Sequence, residues 1–254
     1  MKTNPPIADG RRPMGKLRAR GFYPIVNRQS PILNSFTLIE LLVVIAVIGI
    51  LAAFILPVAS AAKRHSIISH AQAEMNQIET ALDSYKAAYG FYPSWNTNSV
   101  VTDASINDLY FELVGTTNDG GYYYTLDRSA QPIPDAGVQT AFGIVGFVNC
   151  DSTNKSSENS QQARNFLPDL KPNQYTTKYT NNNTAVALLI SSVGGPDANY
   201  QPLGAPDLNP WRYRSPGIND PNGYDLWIDL SINGKTNRIS NWDTRVETVS
   251  APLP

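Results

Sequence analysis

Residues 36–62 constrain this 254-residue chain more than any other feature. The segment reads FTLIELLVVIAVIGILAAFILPVASAA and holds one charged side chain, that of Glu40. A helix needs roughly 20 apolar residues to cross the hydrocarbon core of a membrane, so the segment predicts a single membrane span. An acid inside such a span costs about 2.5–3.5 kcal/mol on insertion scales and indicates a functional role. Glu40 therefore needs an explanation that an inert anchor does not provide.

Charge is distributed unevenly around this segment. The residues before Phe36 hold seven Lys or Arg and one Asp, a net charge of +6. The chain has 20 Lys or Arg and 21 Asp or Glu, so the remainder carries 13 − 20 = −7. Basic flanks stay in the cytoplasm, so we expect the helix to have its N-terminus inside and residues 63–254 outside. The acidic head argues against nucleic acid as a partner.

Residues 1–35 are basic, polar and rich in proline, which indicates an unstructured cytoplasmic leader. A secretory signal peptide has an apolar run of roughly 7–15 residues before its cleavage site. The apolar run here is longer and continues directly into a helical pattern. Met1 and Met14 are both candidate start residues for this leader.

The helix is predicted to continue through residues 63–93 as an amphipathic half. Apolar residues recur at steps of three and four and form one stripe, which we expect to pack on the head: Ala71, Met75, Ile78, Leu82, Tyr85 and Tyr89. The opposite face is expected to meet solvent and carries Glu74, Gln77, Asp83 and Lys86. Gly90 fits a helix C-cap, and Pro93 lies shortly beyond it.

Gly49 and Pro57 interrupt the apolar half of the helix. Proline removes one helix hydrogen bond and usually kinks the helix. One interpretation is a passive kink, because both residues are common in membrane helices. The other is that the stretch from Gly49 to Pro57 extends or melts on packing.

The head, residues 94–254, is predicted to combine a variable region, 94–206, with a C-terminal sheet, 207–243. In the first part, residues 107–114 indicate a short helix capped by Asn107 or Ser105, and residues 149–165 indicate a polar loop. Residues 184–193 predict a short buried element, with helix and strand equally favoured.

The C-terminal part shows the clearest strand pattern. Residues 224–232 alternate between apolar and polar side chains and predict a half-buried strand. Asn233-Gly234 is a strong hairpin signal, so we expect residues 235–239 to return as the partner strand and 211–214 to form a third. The expected fold class is α+β, with a long N-terminal helix packed on a small antiparallel sheet.

Residue types that carry catalysis are scarce. His65 and His70 are five residues apart and do not share a helix face, and Cys150 is the single cysteine, which excludes an intrachain disulfide. No phosphate-binding loop, dinucleotide glycine motif or nucleophile elbow occurs. We therefore expect a structural protein and not an enzyme. A membrane-tethered binding domain is an alternative, and it predicts that Glu40 is dispensable.

The string FTLIE at 36–40, followed at once by LLVVI, resembles the class III signal of type IV pilin-like proteins. Further stretches resemble one branch of that family, the major pseudopilin of type II secretion systems: IETALDSYK at 78–86, YGFYP at 89–93, NPWRYRSPG at 209–217 and YDL at 224–226. The resemblance covers residues 36–93 most closely and 207–243 less closely. Residues 94–206 diverge from the family pattern.

This resemblance implies a pilin-like fold, a single-pass position in the bacterial inner membrane with the head in the periplasm, and an assembly mechanism. A prepilin peptidase would cut between Ser35 and Phe36 and methylate the new Phe36 amine. Glu40 would pair with the Phe36 amine of a neighbouring subunit, and such a head-to-tail contact builds a filament. Gly49 and Pro57 match the helix-breaking positions of the family. The implied partners are copies of this chain, other pilin-like subunits, the peptidase, an inner-membrane assembly platform and, before assembly, lipid.

The chain departs from the family pattern at two places. Ser35 precedes the cut where glycine is usual. The family also has a calcium loop after the last long strand, and its candidate ligands here are Leu230, Asn233 and Asn237. Calcium prefers several charged oxygens, so we expect a plain hairpin turn and no cofactor, with calcium as the weaker alternative. A type IV pilin of a surface fibre is the alternative function within the family.

Overall fold

The computed structural model describes residues 36–94, 103–152, 162–179, 184–195, 205 and 208–250, with backbone alone at 54–58, 152 and 177–179. The predicted leader therefore lies outside the described residues. The described elements, in chain order, are α1 Leu38–Tyr89, α2 Leu109–Val114, β1 Thr116–Asp119, β2 Tyr122–Thr125, β3 Ile133–Pro134, α3 Asp135–Phe142, β4 Cys150–Ser152, β5 Tyr175–Tyr179, β6 Ala185–Leu189, β7 Arg212–Arg214, β8 Asp225–Ile232, β9 Lys235–Ser240 and β10 Glu247–Val249.

Helices and antiparallel sheets together confirm the α+β class, with the helix at the N-terminal side of the described chain. The chain divides into two compact units, Met1–Leu51 and Ala52–Pro254, and α1 contributes residues to both. No helix within the described part of the chain is both long and apolar enough to cross a membrane. The span predicted for residues 36–62 is thus not confirmed.

The predicted apolar stripe of α1 lies in the hydrophobic core of the second unit. Ala71, Leu82 and Tyr85 are fully buried, and Tyr89 is half-buried beside them. The helix ends where predicted, because Gly90 takes a positive φ of 86° and its N–H donates to the Lys86 carbonyl at 2.7 Å. A left-handed glycine of this kind is a common way for a helix to stop.

Glu74 corrects the predicted solvent face of α1. Its side chain is buried and accepts hydrogen bonds from the Ser191 hydroxyl at 3.1 Å, the Ser192 N–H at 3.2 Å and the Ser192 hydroxyl. Residues three and four apart are neighbours on a helix, so Glu74 lies on the flank of the stripe between Ala71 and Ile78. The charge of Glu74 predicts exposure to solvent, but its position beside the apolar stripe places the side chain in the interior.

The C-terminal sheet has the strand order β10-β9-β8-β7, and all its neighbours are antiparallel. The hairpin predicted at Asn233-Gly234 is confirmed, with positive φ values of 53° and 72° that suit a two-residue turn. The strands predicted around residues 211–214, 224–232 and 235–239 correspond to β7, β8 and β9.

Strand β8 is buried on both faces, so the prediction of a half-buried strand is wrong. Its polar residues are paired inside the head instead of solvated. Asp229 accepts two hydrogen bonds from the Arg238 guanidinium, at 2.8 and 2.9 Å. Asp225 accepts the backbone N–H of Ile218 at 2.8 Å and that of Asp220 at 3.1 Å. Alternation shows which side chains share a face, but not what covers that face.

The described residues of the variable region form two further sheets. One has the order β3-β2-β1-β4 and includes a parallel pair, β1 with β4, while β5 and β6 form an antiparallel pair. The polar loop predicted for residues 149–165 thus begins with a strand. The element predicted at 184–193 is the strand β6, and the short helix α2 is confirmed. Asp108 stands at the N-cap position of α2 without a side-chain cap bond, and Asn107 Oδ1 accepts the Leu109 N–H at 3.3 Å.

Candidate functional site

The start of α1 is closed by two residues that bond to each other's backbone. Thr37 precedes the first helical residue, and its Oγ1 accepts the Glu40 N–H at 3.3 Å. In return, Glu40 Oε2 accepts the Thr37 backbone N–H at 2.8 Å and the Thr37 hydroxyl at 2.7 Å. This is a capping box, which satisfies two of the backbone N–H groups that a helix start leaves open.

The capping box gives Glu40 a role that the sequence analysis did not assign. Ser or Thr followed three residues later by Glu or Gln is a known helix-start signature. Thr37 and Glu40 match this helix-start signature in the sequence. The prediction for Glu40 was based on the cost of an acid in an apolar segment, and that cost does not indicate the hydrogen bonds to Thr37.

The apolar side chains that follow the box are exposed. Their exposed fractions in the described chain run from 47% at Val44 to 81% at Leu38. The large apolar residues of this surface, here named the α1 apolar surface, are Phe36, Leu38, Ile39, Leu41, Leu42, Val43, Val44, Ile45, Val47, Ile48, Ile50 and Leu51. A contiguous exposed apolar surface marks contact with another protein or with a membrane.

The two predicted helix-breaking residues lie inside a helix in this structure. The backbone of α1 is helical through both Gly49 and Pro57. A Cβ built on Gly49 meets nothing within 4 Å, so packing within the described chain does not require glycine there. The Pro57 side chain and all of Ser35 lie outside the described residues. Extension or melting on assembly stays a prediction.

The candidate calcium ligands lie on the β8–β9 hairpin. Leu230 is in the core, and Asn233 forms the turn. Asn237 Oδ1 accepts a hydrogen bond from Arg64 Nη2 at 2.8 Å, so a side chain of α1 occupies that oxygen. Among the described residues, no group of three or more His, Cys, Asp or Glu is placed to hold a metal ion. Calcium binding stays a prediction.

The other reactive residue types do not form a catalytic arrangement in the described chain. Cys150 is half-buried at the start of β4, and burial raises the pKa of its thiol. His65 lies 3.3 Å from the Ser69 hydroxyl one turn along α1, and His70 is exposed. These contacts are ordinary helix-surface contacts.

Comparison with known proteins identifies the class to which the N-terminal segment of the described chain is similar. The family model of the prokaryotic N-terminal methylation motif matches residues 34–56, which include the capping box and the α1 apolar surface. This segment was the basis of the resemblance to type IV pilin-like proteins, and the match confirms that resemblance.

Individual relatives fall in two branches of that class. The chain is 36% identical over 86 residues to the type IV major pilin protein PilE of Neisseria gonorrhoeae, covering 34% of this chain and 52% of that protein. It is 38% identical over 61 residues to the type II secretion system core protein G of Pseudomonas aeruginosa, covering 24% and 43%. The chain spans about half the length of these curated relatives. No solved structure matches it.

Proposed function

We propose that this chain is a structural subunit of a periplasmic pilus-like filament, a pseudopilin that supports protein secretion. The observation that carries the proposal is the α1 apolar surface, which begins at the Thr37–Glu40 capping box and falls within the matched methylation motif. Such a surface suits lipid before assembly and neighbouring helices after it. The subunit would act by assembly and not by catalysis.

The proposed pathway begins with removal of residues 1–35 by a prepilin peptidase, which cuts after Ser35 and methylates the Phe36 amine. The cut creates a positive charge at Phe36, four residues before Glu40. A carboxylate that leaves water needs a partner of opposite charge, and the Phe36 amine of a neighbouring subunit provides one. This head-to-tail pairing does not close on itself, so subunits add to form a filament.

The capping box bears on how Glu40 is held before assembly. Its Oε2 already accepts two hydrogen bonds from Thr37, which offset part of the cost of placing an acid in an apolar segment. Cap and ion pair are therefore separable contributions of one side chain. Glu40→Gln keeps a capping box, because Gln also serves at this position, and removes the charge.

A surface fibre is the second candidate function. The match to a type IV major pilin covers more of this chain than the match to the secretion protein, and this favours a pilin. Deletion of the gene distinguishes the pseudopilin function from the pilin function. Loss of secreted proteins with unchanged surface fibres supports the pseudopilin, and loss of fibres supports the pilin.

Processing provides the first test of the proposal. Mass spectrometry of the N-terminal peptide, on protein from its native membrane, is expected to find N-methylated Phe36 as the first residue. An uncut junction between Ser35 and Phe36 would overturn the pathway.

The charge of Glu40 provides the second test. Glu40→Gln is expected to reduce filament assembly at least tenfold while processing continues, because the charge is lost and the cap is kept. Thr37→Val removes the cap hydroxyl and keeps the charge, and it should reduce assembly less. The matched control is Glu247→Gln on the exposed strand β10, with no expected effect. Normal assembly of the Glu40→Gln variant would contradict the proposed ion pair and would indicate that the helix serves only as an anchor.

A further inference from the structure

Two acids are buried together at the short helix α2. Asp108 immediately precedes α2 and Glu112 lies one turn later, so the two carboxylates are neighbours on one helical turn. Only 3% of Asp108 and 2% of Glu112 is exposed. Buried carboxylates need partners or protons, because an isolated charge in a low-dielectric interior is very unfavourable.

Glu112 has partners on both of its carboxylate oxygens. Oε2 accepts the Tyr85 hydroxyl of α1 at 3.0 Å and the Asn149 N–H at 2.9 Å. Oε1 accepts the Val148 N–H at 2.8 Å. Three donors that point at one carboxylate favour its charged form.

Asp108 is in the opposite situation. Neither of its carboxylate oxygens has a hydrogen-bond partner on another residue of the described chain, and it makes no cap bond to α2. The titratable groups that face it are Glu112 on α2, Tyr85 on α1 and Tyr213 on β7. None of these groups supplies a positive charge, and Glu112 repels a second negative one.

We propose that Asp108 is a neutral, protonated carboxylic acid in the folded head at neutral pH. The pair then holds one proton, on Asp108, and one charge, on Glu112. The fold takes up this proton from solvent, and the unfolded chain releases it. This inference rests on the head alone and is independent of the proposed filament.

The electrostatic surroundings of Asp108 agree with this assignment. Burial first, and the nearby charge of Glu112 second, raise the pKa of Asp108 well above its ordinary value, and its own backbone N–H lowers it less. Burial also raises the pKa of Glu112, opposed by hydrogen bonds from Asn149, Val148 and Tyr85. The donors therefore direct the shared proton to Asp108.

A proton held in this way makes head stability depend on pH. The folded pKa of Asp108 lies above the unfolded value, which is about 3.9 for aspartate. Its stabilising contribution is fully present below that unfolded pKa and is lost as pH rises through the folded pKa. The fold thus contains a pH-sensitive element whose contribution to the stability of the head falls as pH rises from about 4 to the folded pKa of Asp108.

Infrared spectroscopy of the full chain in detergent micelles tests the proton directly. A protonated side-chain carboxyl gives a C=O stretching band separate from that of carboxylates. We expect this band at pH 7 in the wild type and in Glu112→Gln, and its loss in Asp108→Asn. Absence of the band from the wild type, or its persistence in Asp108→Asn, would overturn the proposal.

Thermal unfolding of the same samples tests the linkage. The wild-type midpoint is expected to fall by several degrees as pH rises from about 4 to the folded pKa of Asp108, and the fall should be smaller in Asp108→Asn. The control Asp169→Asn removes an exposed acid and should follow the wild type. Equal pH dependence in the wild type and Asp108→Asn contradicts the proposal. If Asp108→Asn does not fold, Glu112→Gln decides: the band must persist there, because burial is the larger cause of the protonation of Asp108, and its loss contradicts the proposal.

Discussion

Both halves of α1 carry large apolar side chains, but the surroundings of these side chains are opposite. Between Leu38 and Leu51 the large apolar side chains are 47–81% exposed, whereas the apolar stripe from Ala71 to Tyr85 is at most 9% exposed. One half thus has its partners within the chain, in the core of the head. The other half has none within the described chain. A continuous helix therefore carries both a folding surface and a surface that a lipid or another subunit can cover.

The largest expected effect tests this contrast with one substitution made in both halves. Leu82→Ala empties a fully buried site and should reduce the free energy of unfolding of the head by about 2–5 kcal/mol. Leu42→Ala, at a site 53% exposed, should leave head stability unchanged. Chemical denaturation of both variants in the same detergent measures the difference. Equal losses would mean that the apolar half also contributes to the fold of the head.

A smaller effect is expected from the polar anchor of the buried half. Tyr85→Phe removes the hydroxyl that donates to Glu112 Oε2 and leaves that oxygen with fewer donors. We expect a loss of about 1–3 kcal/mol, the usual cost of depriving a buried polar group of a partner. Tyr122→Phe, on a half-exposed strand residue, is the control and should change stability by less than about 0.5 kcal/mol. Thermal unfolding of both proteins provides the comparison.

The smallest effect is expected at the glycines, and its sign differs between them. Gly49→Ala should stabilise the apolar half of α1 by about 0.5–1 kcal/mol, because the added methyl meets nothing. Gly90→Ala should destabilise the head by about 1–2 kcal/mol, because φ is +86° at that position. Hydrogen exchange of the two segments measures these changes.

Assembly then tests whether the stretch from Gly49 to Pro57 melts. If it does, Gly49→Ala should slow filament formation, since the helix resists melting. Unchanged assembly with stronger exchange protection would favour the passive kink.

The sequence predicted the parts of the fold that depend on local patterns. The 3.6-residue period located the stripe and the end of α1, and Asn233-Gly234 located the hairpin. The parallel pairing of β1 with β4 was missed, because Thr116 lies opposite Cys150 and no local pattern connects them. The prediction assigned Glu74 to the solvent face because of its charge, although the residue lies beside the apolar stripe.

The candidate site was predicted in part for the same reason. Glu40 was predicted to be functional because a lone acid among apolar residues is costly. The sequence of residues 36–62 is sufficient for this prediction. Its hydrogen bonds to Thr37 follow from a four-residue signature, Thr37 to Glu40, which the prediction did not use. The burial of Asp108 and Glu112 depends on α1 and on the segment near Asn149. Only the folded head brings those segments together.

One hydrogen bond has a consequence for how the chain is made. Asn107 Nδ2 donates to the Trp211 carbonyl at 2.8 Å, across 104 residues of sequence. The ribosome delivers the stripe of α1 and the helix α2 long before strands β7, β8 and β9, whose apolar residues share their core. During synthesis the early segments are therefore uncovered and open to aggregation. The head therefore completes its core only when its last strands have been synthesised.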